Sequence, residues 1–433
     1  MPSKSDQNTG TNSKRSFTVV DYRSRWRSAV SRSGDARMAT ELGLATLLVP
    51  VGSFVANIVF ARTLGASGRG DLAAIIAALA VSEAVLTFGL ADILARHIAK
   101  GSLPAGAQRT LAAGVLATAI LPGLLLAFYC HSRHFMWPVA VIAGVVVPIA
   151  TATAVARGVL NGRQEYRRLT VSWLLSGALR LLAPLILILI DTPNENLALI
   201  LVLGWIVAPA VPIFAGRPFA GPFGSARDAW QILRESLGVW PAYLAWQVNA
   251  RLDQLVLSLF VSAADLGRYA VCVGIAEVPT FLANGPRQVM LARVAKTHSF
   301  HGVPRMTQGI LVVGLVTGVL AAFFSAPLLA AVFGPDFRSA SLVLGILLAA
   351  TGFDVGAGLL NSCLIAVGRG KSATINQMVS LSITAVVVPS VVSLGGGIAA
   401  AAAVRLVGST CAYLLALLSS RRFSRSEAVV AGS

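Results

Sequence analysis

Residues 41–61 read ELGLATLLVPVGSFVANIVFA, a run with one charge, Glu41, at its start and none again until Arg62. About 20 apolar residues are enough to cross the hydrocarbon core of a bilayer, so this stretch predicts a membrane-spanning helix. Further runs of the same kind occupy 72–95, 108–129, 136–157, 169–190, 196–215, 237–262, 268–290, 307–332, 341–367, 372–394 and 397–418. The gaps between them are short, the longest being Gly216 to Ser236. No extramembrane domain fits such gaps, which argues against a membrane glycosyltransferase or polymerase with catalytic loops. The expected fold is all-α and integral to the membrane: twelve transmembrane helices in two parallel six-helix lobes around a central cavity.

The cations fix the expected orientation. Of 35 Lys and Arg, 27 fall in the N-terminal tail, the even-numbered gaps and the C-terminal tail. The odd-numbered gaps hold five, namely Arg62, Arg69, Arg133, Arg268 and Arg338, and three more lie inside apolar runs. Loops that stay in the cytoplasm keep excess Lys and Arg, so both termini are expected there, in a bacterial cytoplasmic membrane. The chain opens with some forty polar and basic residues instead of a signal-peptide pattern, so the first span is expected to be retained.

Composition supports the same reading. Charged residues are 12% of the chain against roughly 25% in soluble domains, and mean hydropathy is +0.75. The net charge of +17 is a topology signal beside anionic head groups, and no nucleic-acid partner is expected. The four cysteines and five histidines have no ligand spacing; His131 and His134 share one short loop, His298 and His301 another. No metal or cofactor is expected.

The long gap divides the spans six and six. The expected organisation is a basic tail over 1–40, an N-terminal lobe over 41–216, a cytoplasmic linker over 217–236, a C-terminal lobe over 237–419 and a tail over 420–433. Tyr22, Trp26 and Val30 are four apart, so the N-terminal tail either forms a short interfacial helix over 21–37 or stays unstructured. Local patterns repeat between the halves. Leu64-Gly65-Ala66-Ser67-Gly68-Arg69-Gly70-Asp71-Leu72-Ala73 matches Val261-Ser262-Ala263-Ala264-Asp265-Leu266-Gly267-Arg268-Tyr269-Ala270, aligning Gly70 with Gly267. Leu160-Asn161-Gly162-Arg163 matches Ala366-Val367-Gly368-Arg369. Halves of six spans have the same orientation, and parallel repeats place a substrate path between them.

The stretch Ala61 through Leu72, the pair Gly89-Leu90 with Arg96, Leu160 through Tyr166, and Arg251-Leu252-Asp253-Gln254 with Gly267-Arg268-Tyr269-Ala270 together resemble the Wzx-like oligosaccharide flippases. This is the polysaccharide transporter family of the multidrug/oligosaccharidyl-lipid/polysaccharide exporter superfamily, and the resemblance spans roughly 41–420. It implies a V-shaped pair of six-helix bundles passing an undecaprenyl-diphosphate-linked oligosaccharide outward by alternating access, for cell-surface polysaccharide biosynthesis. Implied partners are the lipid-linked oligosaccharide, membrane lipids, and the polymerase and glycosyltransferases of the same pathway. The sister lipid II flippases have 14 spans and arginines in the first. Here there are twelve, and nothing is charged between Glu41 and Arg62, which points away from lipid II.

An ionisable group inside a span costs roughly 2.5–3.5 kcal/mol on insertion scales, so each one asks for a reason. Glu83, Arg180, Arg251, Asp253, Glu277, Asp354 and Arg405 fall within the spans. A diphosphate needs fixed cations, and arginine suits phosphate through planar multidentate donation. Arg251 is the first candidate, Arg180 its counterpart in the other half, and Arg62 a receiving group at the outer surface. On a continuous helix Gln247, Arg251, Gln254 and Ser258 share a face, so the two glutamines are candidates for sugar hydroxyls. Asp253 falls on another stripe, with Trp246 and Asn249. Glu83, Asp253, Glu277, Asp354 and Arg405 either couple transport to Na⁺ or H⁺ or serve as structural counter-ions; for Arg405 the counter-ion reading is favoured. Trp240, Tyr243 and Trp246 are expected at the membrane interface. No nucleotide loop, nucleophile elbow or metal cluster points to an enzyme. The alternatives to a flippase are a cation-coupled exporter of small amphipathic molecules and a non-transporting partner in glycan assembly.

Overall fold

The computed structural model describes residues 19–190, 194–297, 299–300 and 302–432, with 19–40 and 424–432 described through their backbone alone. Asp191, His298 and His301 lie outside the described residues, as does the side chain of Trp246. Among the described residues the chain is helical, without a strand. The N-terminal half comprises α1 (Val19–Leu86), α2 (Leu90–Ala99), α3 (Ala107–Ser132), α4 (Trp137–Gly162), α5 (Tyr166–Leu182), α6 (Leu185–Leu189), α7 (Glu195–Val207) and α8 (Ala210–Phe214). The C-terminal half comprises α9 (Ala226–Asn249), α10 (Leu252–Phe260), α11 (Ala263–Ala276), α12 (Val278–Leu282), α13 (Asn284–Thr297), α14 (Val303–Phe333), a 3-10 turn over Pro335–Ala340, α15 (Ser341–Ala366), α16 (Gly370–Ser393) and α17 (Ile398–Gly432).

Nine helical stretches among the described residues are long and apolar enough to cross a membrane, against the twelve spans expected. The difference has two causes. The first stretch, Glu41–Leu86, holds two of the expected spans. Gly65 divides it with φ 68 and ψ −172, a backbone conformation open to glycine because it lacks a Cβ. On a straight helix Asn57 and Arg69 would stand about 18 Å apart. Arg69 Nε instead donates to Asn57 Oδ1 at 2.7 Å, so the chain doubles back at Gly65 into two limbs.

Spans seven and eight are the other cause, because each is broken. Arg251 has φ −132 and ψ −11, which separates α9 from α10. Glu277 ends α11 before the five-residue α12, which carries Pro279. Proline denies the ladder a donor, and polar residues at these points offer the freed backbone other partners. The linker is also more ordered than expected. Ser225 caps α9 by accepting from the Arg227 N–H at 3.2 Å, and α9 then runs from the linker into span seven. The basic stretch 21–37 is helical and continuous with the first span, because α1 begins at Val19.

Packing separates lipid-facing from interior helices. Leu121, Leu124, Leu125 and Phe128 on α3, and Phe323 and Phe324 on α14, are exposed, as side chains against acyl tails would be. The core of the N-terminal half gathers Phe60, Leu72, Ile75, Val146, Leu199 and Leu203. That of the C-terminal half gathers Leu360, Cys363, Leu364, Ala412 and Ala416. A third cluster joins Ala66, Ala73 and Ala74 of the second limb of α1 to Leu266, Tyr269 and Val273 of α11. The two halves are therefore packed together along α1 and α11.

That junction follows the internal repeat. A Cβ on Gly70 would meet the carbonyl oxygen of Ala263, and a Cβ on Gly267 would meet that of Ala66. Gly70 and Gly267 are 197 residues apart, as are Ala66 and Ala263, so the repeated segments cross through equivalent positions. Small residues four apart let two helix backbones approach closely, as in membrane helix pairs generally. The crossing lies toward the cation-poor ends of the spans. Arg133 Nη1 there donates to Asp71 Oδ1 at 2.9 Å, and Nη2 donates to the Ser258 carbonyl of the other half. Tyr129 OH donates to Ser258 Oγ at 2.7 Å.

Candidate functional site

A cavity of about 370 Å³ lies between the halves. Its charged lining comprises Arg69, Glu83 and Arg180 from the N-terminal half, and Arg251 and Glu277 from the C-terminal half. A second cavity of about 430 Å³ lies within the C-terminal half and includes Gln247, Arg287, Asp354, Gln377 and Arg405 in its lining. Arg251 and Glu277 line both cavities.

Arg180 reaches the first cavity because of glycines on two helices. A Cβ on Gly52 of α1 would lie 2.7 Å from the Gly177 carbonyl oxygen and 2.9 Å from Arg180 Cβ, so α1 and α5 approach closely. From there Arg180 Nη1 donates to Ser53 Oγ at 2.9 Å, and its guanidinium carbon lies 5.2 Å from the Trp205 ring centre. Its Nε is buried without a partner. Among the described residues no carboxylate lies within ion-pair distance of Arg180. An unsatisfied buried donor costs about 1–3 kcal/mol. A protein that keeps one beside a cavity keeps it open to an acceptor.

Arg251 is differently placed. Its two terminal nitrogens donate to Glu277 at 2.6 and 3.1 Å, a bidentate fork between the breaks of spans seven and eight. The Arg251 side chain retains 29% exposure and lines the cavity, so it is paired and still reachable. Membrane transporters commonly build midplane sites from interrupted helices, because the freed backbone and its neighbours line a polar space.

Arg405 is paired more completely. It donates to Asp253 Oδ2 at 2.7 Å, and the same oxygen accepts from Tyr269 OH at 2.6 Å. Asp253 is fully buried and also accepts the Gln254 N–H at 2.7 Å. Asp354 Oδ2 lies 4.0 Å from Arg405 Nη2. These residues tie α10, α11, α15 and α17 together, which is the geometry of counter-ions.

The two glutamines do not share a face toward one cavity. The break at Arg251 interrupts the helical period on which that expectation rested. Gln254 lines the cavity between the halves, and Gln247, bonded to Tyr243 OH at 3.2 Å, lines the second. Arg62 reaches neither. Its Nε donates to the Val332 carbonyl at 2.7 Å, and Nη2 donates to that of Ala331, at the end of α14. Glu83 lines the first cavity and has no side-chain hydrogen bond or ion pair among the described residues. Trp240 packs on Phe88 with ring centres 5.8 Å apart, at the junction of the halves.

Two arginines counted as loop cations prove to lie within the helices, Arg69 buried and Arg157 half-buried. Arg69 stands one turn after Gly65, 9% exposed, with its Nη1 unpartnered. The signal that could have found it is the brevity of the gap, since one glycine reverses the chain there. Arg157 lies inside α4, which continues to Gly162, and its guanidinium carbon sits 4.4 Å from the Trp173 ring centre. Among the described residues no group of three or more His, Cys, Asp and Glu is placed to hold a metal ion.

Residues 37–298 match the family model described as polysaccharide biosynthesis protein. Among solved structures, the chain is similar to the lipid II flippase MurJ in an inward closed conformation, with TM-score 0.70 and 13% identity over 90% of each chain. It is also similar to an inward-facing multidrug resistance MATE family transporter of the MOP superfamily, with TM-score 0.62 and 15% identity over 88% of this chain and 98% of that one. A MOP superfamily transporter from Pyrococcus furiosus, whose binding pocket is described as having reverse polarity, is similar at TM-score 0.51 and 15% identity over 88% and 96%. At these identities the likeness is one of fold. No curated protein matches the chain.

Proposed function

We propose that this chain, which belongs to the polysaccharide biosynthesis protein family, is a flippase that moves a lipid-diphosphate-linked oligosaccharide across the bacterial cytoplasmic membrane. Family and fold together make it a multi-pass membrane transporter and not an enzyme. The finer reading rests on one observation. The cavity between the halves holds Arg180, which makes no ion pair among the described residues and has Glu83 as a more distant acidic neighbour, together with Arg251, whose fork is still reachable. A diphosphate is the part of such a substrate that lipid cannot solvate, and planar guanidinium donors match its oxygens.

The glycine crossing seals the cation-poor end, which we place outside, with both termini in the cytoplasm. Arg180 and Arg251 would receive the diphosphate at the cavity, and Gln254 would donate to the adjoining sugar. The lobes would then part at the crossing to release the head group outward. Glycosyltransferases would supply this substrate and a polymerase would take it, so those enzymes are the expected partners.

The test is leaflet-resolved measurement of lipid-linked glycan in cells lacking the protein. Accumulation on the cytoplasmic side, reversed by wild type but not by an equally expressed Arg180→Glu variant, is the expected result. An unchanged distribution with altered sensitivity to cationic drugs would sink it. That outcome would favour a cation-coupled exporter, a reading to which Glu83, a carboxylate in the same cavity without a direct ion pair among the described residues, lends support.

A further inference from the structure

Among the described residues Arg69 is a buried cation that makes no ion pair, and it stands at the sealed end of the same cavity. Its Nε is held by Asn57 Oδ1 at 2.7 Å, while Nη1 has no partner among the described residues. Asn57 is itself only 7% exposed, and its side-chain amide lies against Gly274, where a Cβ would strike it. Holding the guanidinium by Nε leaves its terminal nitrogens for an acceptor. Gly70, the next residue, is the one whose backbone meets Ala263 of the other half.

We propose that Arg69 and Asn57 form a second anion subsite, which with Arg180 makes the cavity selective for a diphosphate over a monophosphate. This rests on the flippase reading above and adds to it a specificity determinant. Two guanidiniums from different elements, one on α5 and one on the returning limb of α1, make no ion pair among the described residues and each keep an unsatisfied N–H, with Glu83 acting on Arg180 only from beyond ion-pair distance. One phosphate satisfies one of them and leaves the other buried and bare. A diphosphate supplies acceptors for both, and the cavity of about 370 Å³ has room for it. Charge-assisted hydrogen bonds to phosphate are the strong kind, so leaving one unmade is expensive.

The subsite is tested by the affinities of purified full-length protein for farnesyl diphosphate and farnesyl phosphate. Wild type is expected to prefer the diphosphate at least about tenfold, which corresponds to about 1.4 kcal/mol. Arg69→Gln should reduce the preference to less than about threefold while monophosphate affinity changes little. Because Arg69→Gln also removes a bond to Asn57, Asn57→Asp provides the second variant. It keeps the shape, places a carboxylate on Arg69 and should abolish the preference in the same way. Preference retained in both variants, or equal affinity of wild type for the two probes, overturns the subsite and leaves the flippase reading standing. Wild type that binds neither probe overturns both.

Discussion

The two halves hold the arginines that line their cavities in different ways. In the C-terminal half Arg405 meets a fully buried Asp253, which Tyr269 also engages, and Arg251 meets Glu277 through a fork. In the N-terminal half Arg180 and Arg69 hydrogen-bond only to neutral groups, Ser53 and Asn57, and each keeps a nitrogen unbonded; Glu83 acts on Arg180 from beyond ion-pair distance. A guanidinium that a protein neutralises internally is part of its framework. One that it holds with neutral acceptors beside a cavity is kept for an anion from outside. Arg251 stands between these cases, paired yet lining both cavities.

The comparison breaks most visibly if the framework pair is dispensable. Removing one partner of a buried ion pair costs about 3–5 kcal/mol, because the other charge is left bare. Arg405→Met is therefore expected to lower the melting temperature of detergent-solubilised protein sharply. Adding Asp253→Leu should recover much of the loss. A large loss from Arg405→Met that Asp253→Leu leaves unrelieved would contradict the assignment.

Next in size is the cavity cation. Arg180→Gln should weaken farnesyl diphosphate binding at least about tenfold, or about 1.4 kcal/mol, with little change in melting temperature. A stability loss as large as that of Arg405→Met would erase the distinction between the halves. A smaller effect of opposite sign sharpens it: Glu277→Gln frees Arg251 and should tighten diphosphate binding a few-fold, read in the same titration. The smallest effect belongs to Arg62. It is bonded to two carbonyls of α14 and lines neither cavity, so Arg62→Ala should leave probe affinity within about twofold while loosening the seam by roughly 1 kcal/mol per such bond, read as a small drop in melting temperature.

How much of this was legible in the sequence follows from what the bilayer demands. Lipid requires long apolar runs, so nearly all spans could be drawn from composition, and the pairing of Arg405 could be anticipated because bare charge is intolerable there. The interruptions at Arg251 and Glu277 were not legible, since hydropathy averages over a window and does not register a single non-helical residue. The shared face of Gln247 and Gln254 failed for that reason. Arg69 was missed because a cation in a short gap looks like a loop cation. Its burial depends on one backbone angle at Gly65, and the apolar pattern carries no record of that angle. The alignment of Gly70 with Gly267 was visible in the sequence, whereas their meeting across the halves depends on how the halves pack.

At the crossing of Ala66–Gly70 with Ala263–Gly267 two glycines bring backbone against backbone, beside a buried cluster in which small alanines of α1 meet Leu266 and Tyr269 of α11. Surfaces locked by interleaved leucines must reorder rotamers as they separate, and that reordering contributes to the barrier. Here the α1 face of the seam is alanine and glycine, so separation leaves few rotamers to reorder on that side. Parting also breaks guanidinium–carbonyl bonds, among them those of Arg133 to Ser258 and of Arg62 to Ala331 and Val332. Polar residues that line neither cavity thereby add to the hold of the seam.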